Sequence, residues 1–181
     1  LIGAAVIEEG QDIVLATRNG RTMRFGEEEV RRMGRVSTGV KGISLKNDDE
    51  VVSMVVVSPG EGQLMTLCEN GYGKRTKESE YPSKHRGGVG VIDIKTSERN
   101  GPTVACKEVF EDDEVMIVTQ KGVLIRTAVN GISTVGRNTQ GVRVINLDEG
   151  DRVIDMTPLP NQEEEITVDE REGNNGESAD E

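Results

Sequence analysis

Aromatic residues are nearly absent from this chain. Phe25, Tyr72, Tyr81 and Phe110 are the full set and there is no tryptophan, so any interior has to be assembled from Val, Ile, Leu and Met. Cysteine is scarce too. Cys68 and Cys106 stand 38 residues apart with no second cysteine near either, a spacing that matches no zinc pattern, and both fall in apolar runs that suit reduced strand cysteines. His85 is the only histidine, which leaves no Ser–His or Cys–His pair and no His-based metal site to assemble. No catalytic constellation and no metal ligands emerge. No run reaches the ~20 apolar residues of a membrane helix, and no signal peptide is visible. The expectation is a soluble, cytoplasmic protein with no membrane partner. The chain opens on Leu1 rather than Met, which reads as a domain cut from a longer protein.

What the sequence has in quantity is glycine, 22 residues in 181, the mark of many tight turns and of an all-β protein. Written in rows of 51, the chain aligns on itself without gaps. Gly20, Gly71 and Gly122 coincide, as do Arg24, Arg75 and Arg126; so do Arg35, Arg86 and Arg137, followed by Gly39, Gly90 and Gly141. The apolar columns Ile13/Leu64/Val115, Val40/Val91/Val142 and Ile43/Ile94/Ile145 agree as well. Each repeat reads as four short strands. In the first, "DIVLAT" meets Asn19-Gly20, a strong two-residue hairpin signal, and "TMRF" returns; after a loop of about a dozen residues come "VKGISL" and "VVSMVVV". The second and third repeats turn at Asn70-Gly71 and Lys121-Gly122. No segment carries a 3.6 period with caps, which excludes helical repeats. Four strands per ~50 residues is the arithmetic of a propeller-like blade. The expected division is 1–10 as the last strand of a preceding blade, then blades at 11–61, 62–112 and 113–160, and a disordered acidic tail at 161–181.

The formal net charge is −11, but it is unevenly placed. Residues 161–181 hold nine acids and one base, Arg171, whereas residues 1–160 hold 24 acids and 21 bases. Within the repeats, 18–46 carry eight Lys/Arg against three Glu, 74–95 carry six bases against three acids, and 121–143 carry four bases and no acid. The connections at 48–69 and 98–114 are acidic. In a radial array the same part of every blade faces the same way, so this spacing predicts a basic band, the footprint of a polyanion partner.

The stretch "KHRGGVG" (Lys84, His85, Arg86, Gly87, Gly88, Val89, Gly90) is one copy of an R-x-x-x-G pattern that recurs as "RVSTG" and "RNTQG". Guanidinium matches phosphate because its fork of donors spans two oxygens. The glycines admit two readings: close approach of backbone N–H groups to phosphate, or strand starts where a neighbouring blade packs tightly. "NGYGKRT" imitates the end of a P-loop, but Cys68 occupies the place of the required first glycine and no helix follows the hairpin. Tyr72 and Tyr81 suit core or rim packing better than a base-stacking platform. Contacts made mainly to phosphate imply weak sequence preference and strong salt dependence.

The strings "ENGYGKRT", "SEYP", "SERNG" and "VGRNTQGV" together closely resemble the C-terminal domain of DNA gyrase A, through nearly all of residues 1–160. The resemblance implies a β-pinwheel, a propeller-like disc whose neighbouring blades exchange strands and whose basic rim wraps double-stranded DNA. It further implies a parent that supercoils DNA negatively using ATP, in an A2B2 heterotetramer with DNA gyrase B and a second copy of DNA gyrase A. ATP and Mg²⁺ would be used on other domains, with no cofactor here. The family's cleaving tyrosine lies outside the matched region, so neither Tyr72 nor Tyr81 inherits it. Residues 84–90 match the seven-residue gyrase box only at Arg86, Gly87, Gly88 and Gly90, a degenerate copy. The expected phosphate contacts are Arg24, Arg31, Arg32, Arg35, Lys41, Lys74, Arg75, Lys84, Arg86, Arg126, Arg137 and Arg143. Two alternatives stand beside this reading: the equivalent domain of topoisomerase IV, and a protein-binding propeller like the chromosome-condensation-regulator repeats.

Overall fold

In the computed structural model, which describes residues 1–60 and 62–161, eleven strands and three single 3₁₀ turns follow one another in threefold order. The strands are β1 Asp12–Thr17, β2 Arg21–Gly26, β3 Val51–Val57, β4 Gln63–Cys68, β5 Tyr72–Lys77, β6 Val91–Ile92, β7 Thr103–Val109, β8 Glu114–Thr119, β9 Leu124–Ala128, β10 Val142–Arg143 and β11 Val153–Leu159. The turns, Glu27–Glu29, Glu78–Glu80 and Val129–Gly131, recur at one place in each repeat. Gly20, Gly71 and Gly122 close the β1–β2, β4–β5 and β8–β9 hairpins with φ of 76°, 79° and 82°, the conformation that glycine enters without a Cβ penalty. Among the described residues there is no α-helix, and hence none long and apolar enough to cross a membrane. The fold is all-β.

The sheets run β3-β1-β2-β6, β10-β5-β4-β7 and β11-β8-β9, all antiparallel. One edge strand of each of the first two sheets is borrowed. β6 belongs by sequence to the second repeat yet pairs with β2 of the first (Arg21↔Ile92, Thr22↔Val91). In the same way β10 of the third repeat pairs with β5 of the second (Val142↔Gly73, Arg143↔Tyr72). This is the strand exchange of a pinwheel. The stretch 40–45 of the first repeat, expected as a strand, forms none. It occupies the donor position, and no earlier sheet is present among the described residues to receive it; a strand needs a partner ladder to exist. Residues 1–10, expected as the last strand of a preceding blade, likewise form no strand and are exposed.

Alternation along each strand sends apolar side chains between the sheets. Val14, Ala16, Val55 and Val57 of the first sheet meet Leu64, Tyr81 and Cys106 of the second repeat. Met65, Leu67, Ala105 and Val109 meet Val115, Ile117, Val153 and Met156 of the third. Cys68 and Cys106 are buried and free, their thiols pushed up to about 12, chiefly by burial, so they serve as small apolar groups. Residues 162–181, most of the expected acidic tail, lie outside the described residues.

Candidate nucleic-acid interface

The cations expected to meet phosphate divide into two groups with different jobs. Arg24 and Arg75, in the same column of the repeat, lie in the seams between blades. Arg24 donates through Nε to Asp12 (2.6 Å), pairs through Nη2 with Glu78 (2.5 Å), and reaches the carbonyls of Glu78 and Tyr81 through Nη1. Arg75 donates to the Ile132 carbonyl (2.7 Å), Glu111 (2.6 Å) and the Asn130 carbonyl (3.4 Å). Each ties its own second strand to the 3₁₀ turn of the next repeat. Their side chains are only 10% and 5% exposed, and the donors a phosphate would need are already in use. Arg126 completes the column. No following blade stands beside it among the described residues, and it is 65% exposed, paired only with Glu114 on its own sheet.

Lys74 departs further from the expected phosphate role. Its ammonium is fully buried, 2.7 Å from Thr76 Oγ1, 3.3 Å from Asp93 and 3.3 Å from the Gly136 carbonyl. Asp93 in turn accepts from Tyr81 Oη (2.6 Å) and Thr66 Oγ1 (2.7 Å). Burial lowers the Lys74 pKa and the Asp93 charge opposes that shift; burial raises that of Tyr81. Lys74 is closed to phosphate in this fold.

Two of the three R-x-x-x-G loops, those of Arg86 and Arg137, also serve the seams. Arg86 donates to the carbonyls of Glu29 (2.9 Å) and Lys41 (3.0 Å). Arg137, one repeat on, donates to the carbonyl of Ile92 (2.9 Å), the counterpart of Lys41, and its guanidinium lies 6.0 Å from the Tyr81 ring centroid. Gly87 N donates to Gly42 O and Ser44 Oγ to Gly87 O, both at 2.6 Å, so KHRGGVG is laced onto residues 41–44. His85 Nδ1 sits 2.5 Å from Glu29. The glycine question resolves toward packing. Gly90 and Gly141 have φ of 68° and 73°; a Cβ on Gly90 would run into the Thr22 carbonyl, and one on Gly141 would lie 2.6 Å from the Gly73 carbonyl. At Gly39, with no preceding blade beside it among the described residues, a Cβ would meet nothing.

The second group is free to meet a ligand. Arg31, Arg32, Arg35, Lys41, Lys84 and Arg143 are exposed, and none belongs to an ion pair among the described residues. Lys84 and Lys41 both border the first seam: Lys84 N donates to Arg24 O, and the Lys41 carbonyl accepts from Arg86. Arg31, Arg32 and Arg35 stand on the loop that leads toward it. One further cation, which the sequence does not single out, is Arg99 of "SERNG". It stacks on Tyr72 with its Cζ 4.6 Å from the ring centroid. Its loop is pinned by the buried Asn100, whose amide donates to the Lys95 and Gln140 carbonyls.

A family model described as DNA gyrase C-terminal domain, beta-propeller, matches residues 11–58, 63–106 and 113–160. The chain belongs to the DNA gyrase A C-terminal domain family. It is 45% identical over 168 residues to the DNA gyrase A protein of Salmonella typhimurium, covering 92% of this chain and 19% of that protein. Against the DNA gyrase A protein of Escherichia coli (strain K12) the figures are 42% over 181 residues, 100% and 21%. Among solved structures, a DNA gyrase A C-terminal domain superposes with a TM-score of 0.79 at 28% identity, over 86% of this chain and 52% of that one. The C-terminal domain of DNA topoisomerase IV gives 0.78 at 25%, over 83% and 47%. The chain therefore spans about a fifth of the curated relatives and about half of the solved gyrase domain. The expected pinwheel holds, and family membership displaces the chromosome-condensation-regulator alternative.

Proposed function

We propose that this array binds duplex DNA through phosphate contacts and bends it around the loops that follow the 3₁₀ turns. The observation that supports this most is the division of labour among the cations. Arg24, Arg75, Arg86 and Arg137 are spent on seams, while Arg31, Arg32, Arg35, Lys41, Lys84 and Arg143 carry no carboxylate partner among the described residues. Cations that meet phosphate grip the backbone and read little sequence. In the parent protein this wrapping would present a DNA crossing to a type II topoisomerase, with DNA gyrase B and a second copy of DNA gyrase A in an A2B2 assembly in the cytoplasm. ATP and Mg²⁺ would act on other domains, and this stretch would bind without a cofactor. The fold itself also fits topoisomerase IV; the identity to curated gyrase A proteins favours gyrase.

The test uses duplexes of mixed sequence and graded length carrying a donor and an acceptor at opposite ends. Bending by the full chain raises energy transfer once the duplex exceeds the contact length. Binding with no rise at any length would show a binder that does not wrap.

A further inference from the structure

Most cations of the seams recur every 51 residues because the seam itself recurs. The cluster around Tyr72 does not. Tyr72, at the start of β5, is 8% exposed. Arg143 faces it across the β5–β10 pairing, with its Cζ 5.3 Å from the ring centroid and Nη2 donating to the phenol oxygen at 2.7 Å. Arg99 reaches the same ring from the loop between β6 and β7, at 4.6 Å. The repeat partners of Tyr72 are Arg21 and Val123, those of Arg143 are Lys41 and Ile92, and those of Arg99 are Asp48 and Gly150. The first seam is built without this trio, so the fold alone does not call for it.

Two guanidinium groups on one ring repel each other, and none of the ion pairs among the described residues includes either. Their remaining partners are neutral: Asn146 for Arg143 (3.2 Å) and Gln140 for Arg99 (3.5 Å). The ring face attracts each cation, and the two side-chain amides fix rotation, which leaves most of the ten N–H donors unspent. Asn100, buried and bonded to Ser97, Lys95 and Gln140, holds the Arg99 loop in place. The hydrogen bonds from Arg143 and then Arg99 also hold the Tyr72 phenol below its usual pKa. Paired, oriented, uncompensated guanidinium forks are what a phosphodiester needs.

We propose that the Arg99–Tyr72–Arg143 stack is a preformed clamp for a DNA backbone phosphate at the junction of the second and third blades. The proposal rests on the DNA-binding reading above, and its test separates the two. Fluorescence anisotropy of a labelled mixed-sequence duplex is titrated with the full chain and with R99Q, R143Q, Y72L, Y72F and R31Q/R32Q, each checked for native circular dichroism. R99Q and R143Q each weaken binding about 3- to 10-fold at low salt and lower the salt slope by about 1. Y72L keeps both charges but removes the platform and weakens binding by at least about 3-fold, whereas Y72F stays within about 2-fold because the ring face remains. If Y72L does not fold, the two arginine variants and Y72F decide the matter. Unchanged affinity in R99Q and R143Q with weakened R31Q/R32Q overturns the clamp and leaves the DNA reading standing. Weakened arginine variants with an unchanged, folded Y72L reduce the stack to unorganised charge and also overturn it. No binding by the unaltered chain removes the DNA reading and the clamp together.

Discussion

The buried pair Lys74–Asp93 offers the severest check on the packing described here. At the positions of Lys74 the other repeats carry Met23 and Ile125, and at those of Asp93 they carry Gly42 and Val144. The middle blade thus holds a charged network where its neighbours are apolar. Removing one partner strands the other: Asp93→Ala leaves the ammonium with only Thr76 and the Gly136 carbonyl, and Lys74→Met leaves the carboxylate with Tyr81 and Thr66. Each single change should cost about 3–5 kcal/mol, a Tm loss of roughly 6–20 °C for a chain of this size. The double change Lys74→Met/Asp93→Val takes one apolar residue from each neighbouring blade. It should cost only about 2 kcal/mol, mostly for the Tyr81 hydroxyl left without an acceptor, so the coupling exceeds about 3 kcal/mol. Thermal unfolding by circular dichroism, with urea titrations at 25 °C, measures all three. A single change costing under about 1 kcal/mol, or additive costs, would refute the buried pair. The double variant should also keep its affinity for DNA, because Lys74 faces the core.

Arg24→Ala should cost about 3–5 kcal/mol by stranding Asp12 and Glu78 in the seam, while Arg126→Ala, in the same column but exposed, should cost under about 0.5 kcal/mol; equal costs in urea unfolding would contradict the fastener role. Glu108, half-buried beside Glu78, has its pKa raised to about 7, by burial first and then by the Glu78 charge. A carboxyl raised above its unfolded value contributes stability that is full below about 4.5 and lost as pH rises through about 7, so Glu108→Gln should flatten the fall in stability over that window and gain about 1 kcal/mol at pH 8 after screening. A chain ending at Pro160, without the nine acids of 161–181, should bind DNA more tightly at low salt and by a smaller margin at high salt; equal affinities at both would remove the tail from regulation.

Periodicity carries the architecture in plain view. The Asn-Gly hairpins, the apolar columns and the 51-residue spacing place the hairpin strands in the right repeat, because a strand's pattern is written locally. Which sheet receives "VKGISL" and its counterparts is not local, since β6 and β10 join the preceding blade and the first copy has none to join among the described residues. The arginine columns mislead for a related reason. A recurring interface and a recurring ligand contact leave the same trace in a repeat, and one sequence does not separate them. Two signals do point to the seam. Asp12 and Glu114 stand at the same offset from Arg24 and Arg126, as cross-strand partners do. Lys74 sits in a column otherwise filled by Met23 and Ile125, the mark of an inward position. Arg99 has no column to reveal it; its meaning lies in Tyr72, brought beside it together with Arg143 of another repeat.

The measurement closest to the central claim is the anisotropy of two unrelated labelled duplexes titrated with the full chain at several salt concentrations. Nearly equal affinities are expected, with a steep linear fall of log affinity against log salt, about 0.9 for each phosphate neutralised. A flat salt dependence, a strong preference for one duplex, or no binding by the folded chain would contradict it.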